Sequence, residues 1–118
     1  DVKHYFNNGM MLSTPGHPFM RKIIDAVFMD DGINYNPHRF DYVLKTTGPW
    51  KLMNVYYDLN EKDRENVYLI PKEYVTPFDY TQARRFILKE EGYKDLENCL
   101  KEAYAVHYFF SNWRKEIK

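Results

Sequence analysis

The sequence predicts an α/β or α+β domain, and three observations lead there. Short apolar runs at 9–13, 67–70 and 105–110 are bounded by turn-forming residues, as buried strands are. Between them lie stretches with apolar residues at helical spacing, punctuated by proline and glycine. Hydrophobic residues make up 44% of 118 residues, and no linker, repeat or low-complexity tract interrupts them, so residues 1–118 read as a single domain.

The elements follow in order. Gly9 to Ser13 reads as a buried strand, between the polar pair Asn7-Asn8 and the turn Thr14-Pro15-Gly16. Pro18 suits the first turn of a helix, where a missing N–H costs nothing, and that helix is expected to reach about Asp30. Phe19, Ile23, Ile24, Val27 and Phe28 form its apolar side. A second helix is expected over Pro37 to Lys45, with Phe40, Val43 and Leu44 inward. Thr46-Thr47-Gly48-Pro49 ends it, Gly48 being free to take positive φ. Pro49 then starts a third helix, Trp50 to Leu59, burying Leu52, Val55 and Leu59. Asn60 to Asn66 is polar and reads as a surface turn.

Val67 to Ile70 reads as a strand closed by Pro71, and the residues leading to Pro77 as extended. Asp79 to Glu91 reads as a helix stopped by Gly92. Across Tyr80 to Ala103 five basic and five acidic residues balance, the pattern of a solvated face. Ala105 to Phe110 reads as a final buried strand before the loop Ser111-Asn112-Trp113.

Composition narrows the function. Seventeen basic and seventeen acidic residues cancel, which speaks against a nucleic-acid reader. Aromatics reach 18%, enough both to fill a core and to stack on bases or sugar rings. The single cysteine, Cys99, excludes an internal disulfide and a cysteine-rich zinc site, and reads as a thiol in a reducing compartment. No apolar run has the length of a membrane span and no signal peptide opens the chain, so a cytoplasmic or membrane-peripheral location is expected.

None of the four histidines has the i, i+4 partner of a helical zinc site, and no glycine-rich phosphate loop is present. No G-x-S-x-G elbow frames Ser111, and Asp30-Asp31 reads as a solvated pair at a helix end. Taken alone, these residues describe a soluble α/β domain.

Asn7 to Phe19, Thr47-Gly48-Pro49, and Ala105-Val106-His107 with Ser111-Asn112-Trp113 together resemble blocks of glycosyltransferase family 32, which includes fungal outer-chain mannosyltransferases and bacterial capsular-polysaccharide transferases. Asn7 to Phe19 (N-N-G-M-M-L-S-T-P-G-H-P-F) is similar to the block that follows the family's D-x-D motif. Thr47-Gly48-Pro49 is similar to its central T-G-P block. Ala105-Val106-His107 followed by Ser111-Asn112-Trp113 resembles its terminal H-x-x-x-S-x-W block. Val67 to Pro71 and Tyr74 to Pro77 fall where the family has a strand and a proline-bearing loop.

The chain departs from the pattern twice. It contains no D-x-D, which is expected shortly before Asp1, and Asp1 is not an initiator methionine, so a piece of a longer enzyme is expected. The stretch between Pro77 and Ala105 looks like an insertion or a variable acceptor-side element.

The resemblance implies the C-terminal portion of a GT-A fold, a Rossmann-like α/β sandwich that transfers a sugar from a nucleotide-sugar donor to a glycan or lipid-linked acceptor. It implies a divalent ion, Mn²⁺ or Mg²⁺, that neutralises the departing diphosphate in the complete enzyme. Carried over residue by residue, His107 is the implied metal ligand, and Ser111, Trp113 and Asn8 are the implied donor contacts. Gly48 and Pro49 are implied to shape the acceptor side, while His17 is expected to order the turn before Pro18. The chain by itself is expected to be inactive and prone to self-association. The alternative expectation is a non-catalytic interaction domain that keeps the fold.

Overall fold

The computed structural model describes residues 5–30, 36, 39 and 41–109. The chain divides after Leu69 into two compact units.

In the first unit, helix α1 spans Pro18–Phe28. Pro18 fixes the first-turn backbone, and the His17 ring caps the helix by accepting the Phe19 N–H at 3.2 Å. The turn before it is closed by the His17 N–H on the Thr14 carbonyl at 3.3 Å, with Gly16 at φ +73°. Helix α2 spans Asp41–Thr46 and helix α3 spans Pro49–Tyr57. Where a surface turn is expected, residues Glu61–Glu65 form a short helix, α4, whose Asn60 cap accepts the Asp63 N–H at 2.8 Å. Helix α3 packs against both α1 and α2. Leu52 and Leu59 are the buried apolar residues of this unit, and Phe6, Phe19 and Tyr57 pack their rings around Tyr56.

The second unit holds helix α5 (Lys72–Val75), helix α6 (Tyr80–Leu88) and a 3-10 segment over Tyr93–Leu100. A full capping box opens α6: the Asp79 carboxylate accepts the Gln82 N–H while the Gln82 side chain accepts the Asp79 N–H. The helix stops at Leu88 rather than Glu91, because Lys89 turns left-handed at φ +52°. Phe78, Ala83 and Leu96 form the core, with Phe86, Leu100, Val106 and Phe109 packed against it.

The expected α/β architecture is overturned, and with it the GT-A sandwich: the described residues form helices and irregular segments, with no strand among them. All three predicted strands are apolar enough to extend, but a strand also needs a neighbour to pair its backbone. Here the backbone groups find partners outside any ladder instead. The Gly9 N–H donates to the Asn7 side chain at 2.8 Å, and the Val67 N–H to the Arg64 carbonyl at 2.9 Å. The N–H groups of Tyr104 and Ala105 both donate to the Tyr74 carbonyl, at 2.8 and 3.2 Å. Nor are these segments buried as predicted, since Leu12 is 78% and Tyr68 77% exposed. Phe110, the last residue of the third predicted strand, lies outside the described residues. No helix among the described residues is long and apolar enough to cross a membrane.

Candidate functional site

The central T-G-P block sits at the corner between α2 and α3. Gly48 is buried there with extended backbone, φ −93°, so the expected positive φ is not what requires glycine. A close approach does. A Cβ on Gly48 would lie 2.8 Å from both the Leu44 Cα and the Val43 carbonyl oxygen. The Gly48 N–H donates to that same Val43 carbonyl at 2.8 Å, and the Thr46 hydroxyl donates to the Tyr42 carbonyl at 2.9 Å. Pro49 follows at the first turn of α3, with its φ already suited to the helix.

Asn8 reaches this corner from the first block. Its side-chain amide donates to the Thr47 carbonyl at 3.5 Å, a long hydrogen bond across 39 residues of sequence. Asn8 and the pair Gly48-Pro49 therefore lie together. His107 belongs to the second unit, and Ser111 and Trp113 lie outside the described residues.

His107 is exposed on an irregular segment, not on a buried strand. Its ring packs edge-on against Phe109, with centroids 4.2 Å apart. Phe109 itself takes a left-handed backbone, φ +55°, uncommon for a bulky residue, and its ring packs against the core. Among the described residues no three of His, Cys, Asp and Glu come together as a metal-binding group. His107 is one imidazole without described companions, so these residues do not by themselves make a metal site.

Charged side chains near the corner are organised. Asp41 takes ion pairs from Lys45 and from Arg39, the latter at 3.4 Å. The Lys45 ammonium hydrogen-bonded to Asp41 holds its carboxyl below the usual carboxylate range; partial desolvation opposes this and the Arg39 charge adds to it. The same ammonium lies 5.7 Å from the centroid of the Trp50 ring, which is 40% exposed. Asp30, expected to be solvated, is instead largely buried in an ion pair with Lys51 of α3. Asp31 lies outside the described residues.

A second feature of the first unit is a cleft of about 350 Å³ lined by His17, Pro18, Phe19, Lys22, Leu59, Asp63 and Asn66. Lys22 and Asp63 pair across it at 3.0 Å. Because the His17 Nδ1 accepts the Phe19 N–H, its proton sits on Nε2 and is donated to the Asn66 carbonyl at 3.2 Å. Asp41 and Lys45 carry the i, i+4 spacing of a helical ion pair, so their contact has a sequence signal. The Lys22–Asp63 pair, 41 residues apart, has none.

Comparison with family models, with curated proteins and with solved structures returns no match.

Proposed function

We propose that this chain is the C-terminal portion of a family 32-type glycosyltransferase that moves a sugar from a nucleotide donor to a glycan or lipid-linked acceptor. One observation carries the proposal: the first and central blocks of the resemblance, distant in sequence, touch through the Asn8 amide and the Thr47 carbonyl. Blocks that share a site must adjoin, and two unrelated stretches of a small chain have no such requirement. The proposal concerns the chemistry and these blocks; the helical architecture stands in place of the sandwich.

In this reading Asn8 contacts the donor, and Gly48 with Pro49 forms a rigid wall for the acceptor. Ser111 and Trp113 contact the donor diphosphate, and His107 supplies one ligand to a divalent ion whose carboxylates come from a D-x-D segment of the parent protein. The test is release of nucleoside diphosphate by the parent protein supplied with Mn²⁺ and a panel of nucleotide sugars. Release is expected to fall by orders of magnitude in His107→Ala, while the variant stays folded. Absence of release from every donor, or near-normal release by His107→Ala, sinks the reading. The 118-residue chain alone is expected to show no transfer.

A further inference from the structure

We propose that Trp50, with Lys45 and Asp41 at its margin, is a platform for a pyranose ring of a glycan. The inference rests on the transferase reading only in calling that glycan the acceptor; the binding itself is argued from geometry. A pyranose presents an apolar face of C–H groups and a rim of hydroxyls. A site for it needs a flat, exposed, fixed aromatic surface with a hydrogen-bond acceptor and a donor at its edge.

The corner between α2 and α3 brings an exposed indole and a charged pair together. Trp50 is 40% exposed although it lies in the first turn of a helix that packs on two neighbours. The backbone that carries it is fixed, because Pro49 restricts the preceding residue and Gly48 is pressed against Leu44 and Val43 with no room for a Cβ. A backbone held this way loses little freedom when the ring is covered.

The polar margin is equally fixed. Lys45 reaches Asp41 one helical turn away, and Arg39 holds the other carboxylate oxygen at 3.4 Å. The ammonium lies 5.7 Å from the indole centroid. One face of the ring therefore lies under the Lys45 ammonium, which is itself paired with the Asp41 carboxylate, and the sugar is placed on the opposite face. A nucleobase could also stack on indole, but its ribose phosphates call for a cationic cradle. Here both cations are engaged with Asp41, which favours a neutral, hydroxylated ligand.

The experiment uses the 118-residue chain with mannobiose, maltose and lactose as probes, each at millimolar concentration, and uridine monophosphate as the competing class. Saturation-transfer NMR is expected to show contact to the ring protons of at least one disaccharide. In the same titration the Trp50 indole N–H resonance, assigned with Trp113→Phe, is expected to shift. Trp50→Ala is expected to weaken that binding by about tenfold or more. Silence from all three disaccharides, an unmoved Trp50 resonance, or a response to uridine monophosphate alone overturns the proposal. The resonance is read on the unaltered chain, so the outcome is decisive even where Trp50→Ala fails to fold. Disaccharide binding at Trp50 beside a parent protein inert toward nucleotide sugars would keep the platform and remove the transferase reading; turnover without disaccharide binding would do the reverse.

Discussion

Gly48 shows how little of a residue's role its type reveals. A glycine before a proline reads as a turn with positive φ, whereas here it is extended and chosen for its missing side chain. Both atoms that a Cβ would strike belong to backbone or Cα and cannot swing aside. Gly48→Ala is therefore expected to destabilise the chain by about 1–3 kcal/mol, measured by thermal or urea unfolding. An unchanged transition would mean that the α2–α3 corner opens freely. Asp41 gives a prediction with a sign. Its carboxyl is held below its unfolded value, so its contribution is fully present above about pH 4 and is lost as pH falls through the folded value. The stability gap between the native chain and Asp41→Asn is expected to close as pH drops below about 4, tracked by urea midpoints against pH. A gap that widens in acid would reverse the sign. The i, i+4 spacing of Asp41 and Lys45 makes this pair legible in sequence, and nothing in sequence marks the pairing of Asp30 with Lys51.

The longer helices α1, α3 and α6 were legible because each carries its own signals, whereas α4 was read as a turn and α5 lies where an extended segment was expected. Pro18 and Pro49 begin α1 and α3 where expected, and the Asp79–Gln82 box begins α6. Strands were illegible for the opposite reason: an apolar run states that it can pair, and only the rest of the fold states whether a partner exists. The ends of α1 illustrate what holds such elements in place. At its start, His17 ties Phe19 to Asn66 through its two ring nitrogens. His17→Ala is expected to cost about 0.5–2 kcal/mol in unfolding free energy, and Asn there should recover part of the cap but not the link to Asn66. Just past its other end, Asp30 is paired with Lys51, each largely withdrawn from water. Lys51→Ala removes the paired cation from a largely buried carboxylate and is expected to cost about 3 kcal/mol, again by urea unfolding. A loss below about 0.5 kcal/mol would show that water reaches Asp30 in the variant.

At the scale of the molecule, the exposed apolar surface is the feature that most affects behaviour in solution. Tyr5, Phe28, Met29 and Tyr104 are each more than 80% exposed, and α1 has no fully buried residue despite its apolar side. The chain is expected to self-associate with rising concentration in sedimentation velocity, and Phe28→Glu to shift the distribution toward monomer. A single monomeric species across the concentration range would count against it. Of the implied site, Asn8 and the T-G-P corner lie together, a contact that no sequence signal marks, and Trp50 carried no motif and emerges from exposure and neighbours.

The two N–H groups that share the Tyr74 carbonyl have a consequence for the chain's history and its engineering. They bring Tyr104 and Ala105 back to the residue from which the excursion set out. The chain between Tyr74 and Tyr104, which contains most of the stretch that the family resemblance implies is an insertion, thus leaves and returns at nearly one point in space. A segment whose ends meet can be acquired, lengthened or removed without prising its flanks apart, since the chain on either side need not move to accommodate it. Replacement of residues 78–102, α6 included, by a short Gly-Ser linker is expected to leave hydrogen-exchange protection in α1 and α3 intact. Loss of protection in α1 and α3 would show that the excursion is a part of the foundation rather than a later annex.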